Sequence, residues 1–228
     1  VAADGPTVWW RLGEASGTVA DDNVGSLNGT YVGGPTLGAA GLIAHDSDTS
    51  VSFDGANDVV TVPDSSLINT GGRSRHTIEL WFNATNVTNR QVIYEQGGTG
   101  RGLAIYLDGG NLYFAGWDLN TPWPTTTVFM STPVTAGTTH HAVLALDGPG
   151  GRLNAYLDGV SVGSATGVAN LGSHGSDIGI GAMNDATRFH TGTATGSGFR
   201  FTGRIDEVAI YNQTLNPTRI AAHHLAGI

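Results

Sequence analysis

Gly203-Arg204-Ile205-Asp206-Glu207-Val208-Ala209-Ile210-Tyr211-Asn212 reads as a strand closed by a turn at Asn212-Gln213. Its β-branched and aromatic residues alternate with polar ones. Strict alternation places Asp206 on one face with Val208 and Ile210, and Ile205, Ala209 and Tyr211 on the other. A carboxylate among core aliphatics costs many kcal/mol to desolvate unless donors or a cation meet it. Asp206 is therefore expected either to cap backbone N–H groups or to ligate a metal ion.

Working outward, the strand belongs to a chain of 228 residues with 35 Gly and 8 Pro, rich in turns. Short apolar runs recur along it. His76 to Asn83 is the longest clean strand, with Ile78, Leu80 and Phe82 on one face. Asp108-Gly109-Gly110 and Asp158-Gly159 each sit between two such runs and predict hairpins. The segment Ala182 to Gly198 reads as a long loop. One helix is expected at the end, with Asn216 as N-cap, Pro217 as first helical residue and Gly227 as the stop. About a dozen strands in meanders predict an all-β, two-sheet antiparallel sandwich over 1–228 as a single domain.

Charge and composition narrow the partners. The chain has 19 acidic residues against 10 Arg, no Lys, and a net charge of −9. No basic stripe is present, which argues against nucleic acid. No apolar run reaches the ~20 residues of a membrane span. The absence of Cys excludes disulfides and thiolate metal sites. The loop from Asp21 to Gly29 is dense in side-chain oxygens and Gly, a setting that suits a hard cation such as calcium and is equally that of an ordinary polar turn.

A set of segments resembles the laminin-G-like domains of the concanavalin A-like lectin/glucanase group, in bacterial or phage-encoded form. They are Phe53-Asp54-Gly55-Ala56-Asn57-Asp58, Thr77-Ile78-Glu79-Leu80-Trp81-Phe82, Leu153 to Gly159, and Phe201 to Asn212 with Leu215. Their order and spacing carry the resemblance from Trp10 to Leu225. It implies a jelly-roll of two curved antiparallel sheets. It also implies a structural calcium ion tying the N-terminal loop to the final strand. The ligands implied are the side chains of Asp21 and Asp206, with carbonyls of the turn from Val24 to Ser26.

Catalysis by the glucanases of this group needs two facing carboxylates. The four glutamates are Glu14, Glu79, Glu95 and Glu207, and none is spaced from a second acid to make such a pair on one strand face. Serine-hydrolase, zincin and phosphate-loop motifs are also missing from the sequence. The chain is read as non-enzymatic. Its histidine pairs, His140-His141 and His223-His224, are read as structural.

Two loops are candidates to bind a ligand, the alternative for the first being that one or both of its Trp plug the edge of the sandwich. The first, Gly116 to Pro124, holds Trp117, Asp118, Asn120 and Trp123. Exposed indoles stack on sugar C–H faces while amides and carboxylates bond the hydroxyls. The second holds Asn184 and Arg188, with Arg101 joining it at the sheet rim. The resulting expectation is a carbohydrate-binding module of a larger extracellular, cell-surface or virion-associated protein. Its partners would be a glycan or polysaccharide and other domains of its assembly. The alternative is an adhesion or structural module of a phage tail or cell-surface protein; a glycoside hydrolase ranks third.

Overall fold

A computed structural model describes residues 1–119 and 127–228. The N-terminal part forms β1 (Val8–Trp10), β2 (Val19–Ala20), β3 (Gly29–Val32), β4 (Thr36–Ala40), β5 (Thr49–Asp54) and β6 (Val59–Val62). The middle forms β7 (Arg75–Ala84), β8 (Gln91–Gly97), β9 (Gly102–Asp108), β10 (Asn111–Trp117), β11 (Thr127–Pro133) and β12 (Thr139–Asp147). There follow β13 (Arg152–Leu157), β14 (Val160–Thr166), β15 (Ile178–Ile180), β16 (Ala186–Phe189), β17 (Gly192–Thr195), β18 (Thr202–Tyr211) and α1 (Pro217–Ala226).

These strands make the expected antiparallel jelly-roll sandwich. Sheet I runs β14-β13-β12-β7-β18-β5-β4, with β1 also paired to β18. Sheet II runs β11-β10-β9-β8-β15-β6-β3-β2. Alternate residues of both sheets fill one core, including Ile78, Leu80 and Phe82 from β7 and Leu103, Ile105 and Leu107 from β9. The hairpins fall at the Gly-bearing turns. Gly109 and Gly110 adopt φ of 57° and 82°, the left-handed pair that a two-residue hairpin loop needs.

β18 lies at the centre of sheet I, between β7 and β5. Its strict alternation is corrected by a β-bulge. Asp206 pairs with Trp81 and Ala209 with Glu79, so Glu207 and Val208 together oppose Leu80. Glu207 takes the strain at φ 55°. As a result Ile205, Val208 and Ile210 all enter the inter-sheet core. Asp206 leaves the face of Val208 and Ile210 and shares the outer face with its partner Trp81.

Helix α1 lies on that outer face. Asn216 caps it by accepting from the Arg219 N–H at 3.0 Å, and Pro217 opens it. Ile220 and Leu215 pack with Tyr211, Ala209 and Val143 in a second apolar cluster. The long loop expected from Ala182 to Gly198 is also corrected. It contains the hairpin β16–β17, which pairs with neither large sheet. Met183 and Phe189 instead seat this segment on the outer face of sheet II, against Tyr106 and Trp117.

Candidate functional site

The turn between β8 and β9 opens a cleft at one rim of sheet II. It has a volume of about 480 Å3 and lies between Gly98–Arg101, Ser173–Ser176 and the base of the β16–β17 hairpin. Several features hold its walls. Trp117 Nε1–H donates to Gly98 O at 2.9 Å from beneath, and Arg188 Nε–H donates to Thr99 O at 2.9 Å from the side. Ser176 Oγ–H donates to Asp185 Oδ2 at 2.6 Å across the mouth. Behind His174 lies a buried polar relay. His174 Nε2 is 3.3 Å from Gln96 Nε2, and Gln96 Oε1 accepts from the Tyr94 hydroxyl at 2.8 Å and faces His76 Nε2 at 3.1 Å. Burial lowers the pKa of both imidazoles, that of His76 to about 4, so the relay is neutral at pH 7.

The expected ligand residues divide. Arg101 lines the cleft. Asn184 stands behind it, its backbone N–H donating to Glu95 Oε1 at 3.0 Å and its side chain to Asp177 O at 3.4 Å. Arg188 braces the Thr99 turn and lies 3.7 Å from Asp118 Oδ2. The exposed setting expected for Trp117 and Asp118 is corrected. Strand β10 continues through Trp117, so the indole turns onto the covered outer face of sheet II with no exposed surface. Asp118 is 2 % exposed. Both support the cleft from below and neither can stack on a ligand. Asn120 and Trp123 lie outside the described residues. Sequence reasoning overlooked His174 and Ser176; a His inside the Gly- and Ser-rich run 172–176 was the available signal.

Away from the residues lining this cleft, Asp206 is 2 % exposed. Its Oδ2 accepts from the Leu42 N–H at 2.8 Å, while Oδ1 is buried without a hydrogen-bond partner. Burial pushes its pKa up to about 7, with Glu207 and Asp48 adding to the rise and the Leu42 N–H and Arg11 opposing it. Asp21 is exposed, donates its N–H to Glu14 Oε1 at 2.8 Å and accepts from Asn28 Nδ2 at 3.2 Å. The Tyr31 hydroxyl donates to Glu14 Oε2 at 2.5 Å. Burial raises its pKa, and the charges of Glu14, Asp21 and Asp206 raise it further, so these acids share one neighbourhood.

The turn containing Val24 and Ser26 is wound around Asp22, a residue that sequence reasoning passed over. Asp22 accepts from the N–H groups of Trp9, Val24 and Leu27, each at 3.1 Å. Among the described residues no three His, Asp or Glu side chains converge as a ready metal cage. At this loop the orphaned Oδ1 of Asp206 fits a hard cation, and the acidic surroundings suit it.

Residues 54–221 match a laminin-G-type family model of the concanavalin A-like lectin/glucanases superfamily. The chain belongs to this superfamily. No curated protein sequence matches it. Among solved structures it is similar to domain 4 of an extracellular arabinanase from Geobacillus stearothermophilus, solved with arabinotriose. That match has a TM-score of 0.65 at 16 % identity and covers 95 % of this chain and 97 % of that one. It is also similar to the binding domain of the Paraclostridial mosquitocidal protein, with a TM-score of 0.71 at 14 % identity and coverage of 97 % and 52 %. The binding domain of botulinum neurotoxin serotype G gives 0.67 at 12 % identity, with coverage of 97 % and 51 %. The chain thus spans about half the length of those toxin domains. At such identities the likeness is one of fold.

Proposed function

We propose that this superfamily member is a non-catalytic carbohydrate-binding module of a larger extracellular or virion-associated protein. The rim cleft carries the reading. It combines one cation (Arg101), one acid (Asp185), an imidazole and hydroxyls with the backbone of a Gly-rich turn. That mixture suits a neutral polyol, which needs donors and acceptors in balance. The arabinotriose on the arabinanase domain is a precedent on the same fold. Glycoside hydrolysis needs two carboxylates about the scissile bond, and among the described residues Asp185 is the sole acid lining the cleft. An adhesion role would use the same cleft on a cell-surface glycan.

The test is a glycan array and retention on insoluble polysaccharides, with Arg101→Ala and His174→Ala beside the parent. Retention weakened at least tenfold by these changes in folded protein supports the reading. Retention unaltered in both would remove the cleft from it. We also propose a structural calcium ion on Asp206 Oδ1, with Asp21 and carbonyls of the Val24–Ser26 turn completing the shell. When bound, it would neutralise a buried carboxylate and cross-link two chain segments distant in sequence.

A further inference from the structure

A second pocket opens where β7 begins and β18 ends. It measures about 350 Å3 and is lined by Gly72, Arg73, Ser74, Arg75 and Asn212. Every side chain lining it is polar, and its volume falls within the ~300–1,000 Å3 of small-ligand sites. Backbone pairing sets it beside the rim cleft. Arg73 N–H donates to Leu171 O and Leu171 N–H to Arg73 O, each at 2.8 Å, and His174 N–H donates to Asn69 O at 2.9 Å. Segment 69–73 thus runs along segment 171–174. Gly172 packs against the Arg101 guanidinium, and Ser173 and His174 line the cleft.

The two arginines are held differently. Arg73 Nε–H donates to Asn212 Oδ1 at 2.8 Å, its Nη1–H to Gly72 O at 3.2 Å and its Nη2–H to Ser66 O. These bonds fix the guanidinium, but all three acceptors are uncharged and two of its five N–H donors are left over. Arg75 is exposed. The chain has 19 acids against 10 Arg, yet among the described residues no carboxylate forms an ion pair with Arg73 or Arg75; the arginines so paired are Arg11, Arg90, Arg188 and Arg219. In the ladder Arg75 faces Asp147, which also faces Arg152, so three arginines meet one acid here. The excess charge is felt inside the sandwich. Burial lowers the His76 pKa to about 4, Gln96 opposes the fall, and the charge of Arg73 adds to it.

We propose that this pocket binds an oxyanion, the carboxylate or sulfate ester of an acidic saccharide. Arg73 offers a guanidinium already in place, so its share of binding costs little side-chain entropy, and Arg75 supplies a second charge-assisted donor. The lining offers nothing to an apolar body and suits a carrier rich in hydroxyls. The saccharide as carrier rests on the reading of the rim cleft; the anion does not. That reading is thereby narrowed to an acidic polysaccharide, with a neutral unit in the cleft and a charged one across the Leu171–Arg73 pairing. The net charge of −9 repels polyanions from the rest of the surface, so their binding needs a local basic site such as this one.

The experiment titrates the full chain with sodium glucuronate and with glucose 6-sulfate, and in parallel with glucose and with sodium chloride at matched ionic strength. The Arg73 Nε–H and Asn212 side-chain amide resonances are followed by NMR. The expected result is a saturable shift with at least one of the two anions and none with glucose or chloride; the tighter anion tells a uronate from a sulfate ester. Binding should weaken at least tenfold in Arg75→Gln, a change at an exposed side chain, and also in Gly72→Val. A Cβ at Gly72 would meet only Leu171 O, at 3.8 Å, so valine fits there, narrows the pocket and keeps every charge. Arg101→Ala, which strips the cation from the rim cleft, should not move the dissociation constant of these small anions, so failure of the cleft and failure of this pocket are told apart. A response linear in concentration, an equal response to glucose or to chloride (an adventitious ion only), undiminished binding in Arg75→Gln, or loss of binding in Arg101→Ala overturns the proposal.

Discussion

His223 Nδ1 lies 2.8 Å from Glu79 Oε2, while the other nitrogen of the same ring lies 2.7 Å from Asp4 Oδ2. One imidazole thus ties α1 both to β7 and to the N-terminal turn. Burial, and to a smaller extent the N-terminal charge, would lower its pKa, but the hydrogen bonds to Glu79 and Asp4 and the charge of Glu79 outweigh them and raise it above the usual 6.5. Arg219 first, and then His223, holds Asp4 at about 2 against burial. Burial would raise Glu79, but His141 and His223 bring it to about 2. Since His141 Nε2 is 3.7 Å away, its share is electrostatic rather than a hydrogen bond.

The pH dependence follows from linkage. A His raised in the folded state contributes stability that is full below its unfolded pKa of about 6.5 and is lost as pH climbs through the folded value. Depressed carboxylates contribute stability present above their ordinary pKa near 4 and lost as pH falls toward 2. The tie is therefore strongest between about pH 4.5 and 6.5. His223→Gln should cost about 2 kcal/mol at pH 5, the scale of a hydrogen bond to a charged group, and less at pH 8.5. Denaturant unfolding of both proteins at the two pH values checks this; an equal loss at both would remove the charged tie.

Trp117→Ala should act on stability before it acts on any ligand. The indole is fully buried and its N–H holds Gly98 O. Truncating such a residue costs about 3–5 kcal/mol. Urea unfolding should show a lower midpoint, and a protein of unchanged stability would mean that the side chain is not packed under the hairpin.

Gly172→Ala should disturb the rim cleft without removing a polar group. A Cβ there would come within 2.1 Å of Arg101 Nη1, the far end of a flexible side chain. The guanidinium can swing aside, so the thermal midpoint should move by less than about 2 °C, as expected for a change of a few tenths of a kcal/mol. Retention on a bound polysaccharide should nevertheless fall several-fold. Retention at the parent level would show that the position of Arg101 is immaterial to binding.

Asp206→Asn separates the two ways of satisfying a buried carboxylate. The change removes the charge that burial penalises. In chelator the variant should be at least as stable as the parent. Calcium at a hundred times its dissociation constant should stabilise the parent by about 2.7 kcal/mol and the variant far less. Differential scanning calorimetry with and without calcium reads this directly. Equal calcium responses would place any bound ion elsewhere.

Hairpins and the terminal helix were legible because local chemistry decides them: Gly109-Gly110 fits a left-handed turn, and Asn216-Pro217 starts a helix. The bulge at Glu207 was not, since β7 imposes it by offering one residue against two. Trp117 misled for a related reason. Nothing within a few residues of it says that β16, some seventy positions later, covers that face. Arg101 was placed at the rim by its Gly-rich turn, whereas His174 enters the cleft only through tertiary packing.

The central place of β18 has a consequence for how the chain reaches its fold. It is the final strand of the described chain, yet it pairs with β1, β5 and β7. Val8 meets Ile210 across some two hundred residues. Loop closure on that scale must be met before the middle of sheet I can form, so folding should be slow for its size. During synthesis, β5 and β7 would wait with open edges until β18 has been made, and it is in that interval that the chain is most exposed to pairing with a neighbour.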